Sequence, residues 1–138
     1  MGLVGYFTAE IGLWSELHTY SGGLGVLAGD HVKSAADAEI DLVGVTLLYR
    51  EGYGRQHIDD QGNQTESFGA IDPADHLIDT GLDITLPLDG GTLHAKIWKV
   101  EVVGVTGHVV PVYFMDTHHP KNSDYHQSMG ARLYGGND

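Results

Sequence analysis

The residues with the clearest chemical potential are Tyr20-Ser21-Gly22-Gly23-Leu24-Gly25, a glycine-rich turn that runs straight into a stretch of helical periodicity. Glycine lets the backbone come close to a bound group. The unpaired amides of a helix's first turn favour an anion by about 0.3 to 1 kcal/mol, or up to about 2 kcal/mol when partly buried. Phosphate is the natural guest for such a turn, although glycine-rich turns also serve purely structural ends. Read as Gly23, Gly25 and Gly29, the same segment has a GxGxxxG spacing like that of a dinucleotide fingerprint. In that fingerprint the glycines follow the strand directly. Here the chain runs from Thr8 to Gly22 in between, which disfavours a nicotinamide or flavin and leaves room for a second wall of a pocket.

Two carboxylates, Glu10 and Glu51, stand just after apolar runs and have the right chemistry to pair as acid and base across a site. Hydrogen bonding to loop amides is the competing structural use. His118, His119 and His126 lie near Asp116 and supply common zinc ligand types, but their spacing matches no metal motif. A solvated loop after a strand is the expected setting, with no metal. The isolated His31, His57, His76, His94 and His108 are read the same way.

These groups need elements to position them. Residues 3–8 (LVGYFT) form a short β-rich apolar run that reads as a buried strand with Glu10 at its exit. Beyond the loop holding Trp14, His18 and Tyr20, residues 23–39 place Leu24, Leu27, Ala28, Val32, Ala35 and Ala36 at helical spacing. Residues 42–48 (LVGVTLL) are almost continuously apolar, as in a parallel strand covered on both faces. Strand, helix and strand make a right-handed βαβ unit, with both strand ends and the helix start on the edge where ligands bind in such sheets.

Residues 56–59 and 64–68 flank a Gln61-Gly62-Asn63 turn and predict an irregular hairpin. Residues 84–88, 92–103 and 109–115, separated by Asp89-Gly90-Gly91 and Thr106-Gly107 turns, predict an antiparallel meander. Leu93, Ala95 and Ile97 alternate with His94, Lys96 and Trp98, which predicts one covered face. The fold class expected is α/β: a Rossmann-like βαβ unit followed by an antiparallel β meander.

With 138 residues, the chain has room for one domain and a real core. Nineteen acidic against seven basic residues give a formal net charge of -12, which repels a phosphate backbone and argues against nucleic acid as a partner. No cysteine is present, so disulfides and thiolate metal sites are excluded. The sequence has neither a basic leader nor a long apolar run, so no membrane partner and a cytoplasmic setting are expected. The abrupt end, with no helix closing over the meander, predicts a chain cut from a longer one.

Four stretches bear a family resemblance: VGYFTAEIGL at residues 4–13, YSGGLGVLAGDHVKSAADAEIDLVGVTLLYREGYGRQ at 20–56, PVYFMDTHHP at 111–120 and RLYGG at 132–136. In order along the chain, they closely resemble the N-terminal region of the α-glucan (glycogen/maltodextrin) phosphorylases, in their shorter bacterial and archaeal form. The resemblance implies a glycosyltransferase of two Rossmann-like halves closing on a cleft, with residues 1–138 an incomplete N-terminal domain. It implies pyridoxal 5'-phosphate as cofactor, attached to a lysine of the C-terminal half that is absent here, its phosphate acting as proton donor and acceptor.

The reaction implied is reversible transfer of a terminal α-1,4-glucosyl unit of an α-1,4-glucan to inorganic phosphate, giving glucose 1-phosphate with retention. Gly22, Gly23, Leu24 and Gly25 would contact substrate or phosphate, and Glu10 and Ser21 would support that loop. No catalytic side chain is expected in this segment, which alone should be inactive, and the full-length form would be a possible homodimer. Gly54, Asn63 and Asn137 depart from the family pattern and bear on packing and oligosaccharide preference rather than on reaction class. Two other readings are a glucan synthase using a nucleotide sugar, whose loop has a lysine where Tyr20-Ser21 stands here, and a non-catalytic α/β binding module.

Overall fold

The computed structural model describes residues 2–17, 19–51, 55–67, 70–88 and 90–133. His18, Gly54, Phe68, Asp89 and the RLYGG stretch from Tyr134 onward lie outside the described residues. The elements are β1 (Val4–Phe7), α1 (Gly23–Asp37), β2 (Leu42–Leu47), β3 (Arg55–Ile58), β4 (Gln64–Ser67), a 3-10 turn (Pro73–Asp75), β5 (Ile78–Leu88), β6 (Gly91–Val103), β7 (Val109–Asp116) and α2 (Asp124–Ser128). Mixed α/β architecture follows from the βαβ unit and the meander, as the apolar patterns predict.

The two parts share one sheet. Its order is β1-β2-β7-β6-β5, with β3 and β4 forming a separate antiparallel hairpin. β1 runs parallel to β2 and β2 parallel to β7, while β7, β6 and β5 alternate in direction. The meander therefore docks through its last strand onto β2, a long-range pairing that neither segment's pattern reveals. Gly44 makes room at this joint, since a Cβ there would lie 3.1 Å from a methyl of Val112. In the β3–β4 turn, Asp59 accepts from the amides of Gln61 and Asn63. The Asn63 backbone amide, with its side chain, holds the Asp59 carboxyl below the usual carboxylate range.

One helix covers one face of the sheet. The buried side of α1 is Gly25, Ala28, Gly29, Val32, Ala35 and Ala36, packed in a common core with Leu42, Val100, Val102, Val110, Val112 and Phe114. Leu24 and Leu27, read from the sequence as part of this stripe, are instead exposed. Close approach explains the difference: at Gly29 a Cβ would sit 1.9 Å from the Gly12 carbonyl oxygen, so only small residues fit the contact. The helix ends where Glu39 takes a φ of 57°. Its last turn is tied to the β6–β7 turn by the Val105 amide donating to Asp37 at 2.9 Å.

Three local expectations are corrected. β1 is not buried: among the described residues it is the outer strand, paired with β2 alone, and Phe7 is 76% exposed. β5 begins at Ile78 rather than near residue 84, because a register irregularity between Asp79 and Leu82 carries the pairing past Gly81, whose φ is 71°. Along β6 the covered side changes at Trp98, so Leu93, Ala95 and Ile97 are buried on one face and Trp98, Val100 and Val102 on the other.

By register, Phe7, Val45, Val103 and Val109 share the face opposite α1, and three of these four are exposed. Phe7→Ser with Val103→Thr should cut the fluorescence of an apolar reporter dye by about half, while unfolding free energy stays within about 0.5 kcal/mol of the parent. Unchanged dye binding would show that this face is not the apolar surface it appears from register.

Candidate functional site

Helix α1 starts at Gly23 with Gly22 as N-cap, where the glycine-rich turn predicts a helix start. Gly22 is extended (φ -168°, ψ -152°), a conformation open to any residue, and no side chain caps the helix. A Cβ added at Gly22 or Gly23 would meet nothing within 4 Å, and Leu24 is about half exposed. The fourth residue of the turn differs. Gly25 is buried, and a Cβ there would lie 2.3 Å from Cβ of Tyr20 and 3.1 Å from Oε2 of Glu10. Three residues of the turn thus face outward, while Gly25 seats the helix on the loop beneath it.

That loop, residues 8–12, is bonded on both sides. Glu10, buried at 1% exposure, accepts the Ser21 amide at 2.7 Å through Oε2. Gly12 donates its amide to the Gly25 carbonyl at 2.8 Å, and Thr19 donates its hydroxyl to the Ile11 carbonyl at 2.7 Å. Toward the sheet, the Thr8 amide donates to the Val45 carbonyl at 3.0 Å and the Tyr49 hydroxyl to the Ala9 carbonyl at 2.8 Å. Glu10 and Ser21, which the resemblance names as supports of the glycine turn, meet through this hydrogen bond. Glu10 and Glu51 have separate partners, since Glu51 pairs with Arg132.

The end of β7 holds a group that the sequence reading missed. Asp116, 1% exposed, accepts from Arg50 Nη2 at 2.6 Å and Nε at 3.2 Å, from the Trp98 indole at 3.1 Å and from the His118 amide at 3.1 Å. A hollow of about 390 Å³ beside it is lined by Arg50, Lys96, Trp98, Asp83 and His119 among others. Strand-exit position was the available signal, because Arg50 follows β2 and Asp116 ends β7; their pairing depends on the β2–β7 contact.

The histidines here also depart from a solvated loop. His119 and His126 are buried, His119 beside Asp83 at 3.3 Å and stacked on His94. Among the described residues no three His, Asp or Glu side chains gather as a metal site. Asn122 explains the order of this loop. Its Oδ1 accepts the His94 amide and its Nδ2 donates to the carbonyls of His94 and Thr117, each at 2.7 Å, so the side-chain amide takes over from β7 as partner of β6.

One buried hydroxyl stands alone. Thr46 Oγ1 has no hydrogen-bond partner among the described residues, and Thr46 lines a hollow of about 280 Å³ with Phe7, Thr8, Ala9, Val45, Leu47 and Met115. Thr46→Val should raise the unfolding free energy in urea by about 1 kcal/mol by removing an unsatisfied group. An equal loss would mean that water serves the hydroxyl.

No protein-family profile matches the chain. Individual relatives do: over 141 residues it is 39% identical to glycogen phosphorylase of Mycobacterium tuberculosis, covering 96% of this chain. Over 136 residues it is 37% identical to maltodextrin phosphorylase of Thermococcus litoralis, covering 94%. Along nearly its whole length the chain is similar to α-glucan phosphorylases. Glycogen phosphorylase of Aquifex aeolicus is also similar, at 29% identity over 136 residues. The chain spans only 16% of the length of the Mycobacterium and Thermococcus relatives. Among its described residues no helix is long and apolar enough to cross a membrane.

Proposed function

We propose that this chain supplies the phosphate-facing and sugar-facing turn of an α-glucan phosphorylase, which transfers a terminal α-1,4-glucosyl unit to inorganic phosphate and releases glucose 1-phosphate. The observation that carries the proposal is the open, uncapped start of α1, where Gly22, Gly23 and Leu24 face outward at the strand-exit edge of the sheet. Phosphorylase relatives along nearly the whole chain supply the substrate class. In this reading the chain is part of the first of two Rossmann-like halves.

Fixed backbone dipoles suit this chemistry. A transition state with oxocarbenium character beside phosphate needs charge stabilisation that is already in place, and amides at a helix start provide it without reorganisation. Glu10 takes the Ser21 amide for itself, so the residues left for a ligand begin at Gly22. Gly25 lets α1 sit low enough on the loop to present them.

Pyridoxal phosphate, the family's cofactor, supplies phosphate acid-base chemistry when bound, but this chain's lysines do not fit its attachment. Lys96 pairs with Asp79, Lys99 pairs with Glu101, and Lys33 and Lys121 are exposed. None is enclosed and desolvated as a Schiff-base lysine is. The attachment lysine belongs, in this proposal, to polypeptide outside these residues.

The test uses two substitutions that the fold tolerates. Gly22→Ala and Gly23→Ala point their methyls into open space, so stability should hold while a ligand pressed against the backbone is displaced. Inorganic phosphate followed by amide chemical shifts should move residues 22–24 in the parent, and the double variant should bind about tenfold more weakly. Equal affinity in both would mean that phosphate does not sit on this turn.

A further inference from the structure

We infer that Tyr49 is a positioning residue for the glycine turn: its hydroxyl, on the sheet side, sets the pose of the loop that holds Ser21 and the start of α1. This rests on the function proposed above. The backbone ladder between β1 and its neighbour reaches its last bond at Thr8, whose amide donates to Val45 at 3.0 Å. One residue further on, the Tyr49 hydroxyl donates to the Ala9 carbonyl at 2.8 Å and so continues the connection through a side chain. Tyr49 is 5% exposed, so its ring is held by packing while its hydroxyl reaches out of the β2 exit.

The Ala9 peptide leads directly into Glu10. Turning that peptide would swing the Glu10 carboxylate, which accepts the Ser21 amide at 2.7 Å and lies 3.1 Å from where a Gly25 Cβ would be. The Thr8 hydroxyl donates to the Glu10 carbonyl at 2.8 Å and stiffens the next peptide, between Glu10 and Ile11, from within the loop. Tyr49 ties this loop to the sheet through its side chain. A hydroxyl on the β2 exit thereby fixes an anion-facing turn to which it donates no bond.

Tyr49→Phe keeps the packed ring and removes only the tether. Amide exchange at Ser21 and Gly12 should quicken about tenfold, the loss expected for one hydrogen bond, while exchange at Val32 and along β6 and β7 quickens by no more than the change in global stability. In a titration with inorganic phosphate, followed at residues 22–24, affinity should fall about threefold to tenfold, with unfolding free energy lowered by no more than the roughly 1 kcal/mol of one hydrogen bond. Tyr49→Leu, which also loses the ring, should lower the midpoint further, separating packing from tethering. If the parent responds to phosphate and Tyr49→Phe matches it in both affinity and Ser21 exchange, the tether is overturned. A parent whose amides ignore phosphate overturns the proposed function and the tether's purpose with it, even where exchange at Ser21 quickens.

Discussion

Gly29→Ala should destabilise the chain by about 3 kcal/mol, although helix propensity alone predicts a gain of about 1 kcal/mol for replacing glycine by alanine inside a helix. The added methyl would sit 1.9 Å from the Gly12 carbonyl oxygen and 2.7 Å from its carbon. Both are backbone atoms of a loop pinned at Ile11, Gly12 and Glu10, so they cannot yield as the end of a flexible side chain would. Either α1 lifts from the loop or the loop shifts, and the first loses contacts of Ala28 and Val32 with the core. Gly23→Ala is the control, because its methyl meets nothing within 4 Å and should be neutral or mildly stabilising. Urea midpoints of the two variants decide the matter: two equal midpoints would mean that α1 does not lie as low as its glycines indicate.

Much of this geometry is legible in the sequence, and the illegible part has identifiable causes. Residues 23–37 declare their helix because periodicity and a glycine start act within one segment. Ser21 and Glu10 are named by the resemblance as supports of the glycine loop, and in the structure a hydrogen bond runs between them. The inward face of α1 is misread because apolar character normally marks the buried side. Here helix and loop approach so closely that glycine and alanine occupy the interface, and Leu24 and Leu27 are left outside. β1 is misread for a related reason: its apolar residues are those of a strand meant for cover, but only its Tyr6 packs against the core. Asp116 was invisible as the centre of a network because its partners, Arg50 just beyond β2 and Trp98 in β6, come from the two neighbours of β7, an adjacency that is a property of the sheet order.

Asp116→Ala should cost about 3 to 4 kcal/mol, more than Arg50→Met, which should cost about 2 kcal/mol. The asymmetry follows from what each removal strands. Without the carboxylate, the Trp98 indole N–H, in a residue 7% exposed, loses its acceptor, and the His118 amide and the Arg50 guanidinium lose theirs. Without the guanidinium, the carboxylate keeps the indole and the amide, and water can reach the space vacated by a side chain that is 28% exposed. The bidentate pair should therefore appear in a double-mutant cycle as a coupling of about 1 to 3 kcal/mol. Because Asp116 is almost fully buried, that coupling should change little between low and moderate salt, unlike the exposed Lys96–Asp79 pair. Strictly additive losses in the cycle would show that Arg50 contributes through packing alone. Asp116 then would serve the sheet through Trp98, and the strand-exit edge would be held by the carboxylate's bond to the indole rather than by an ion pair.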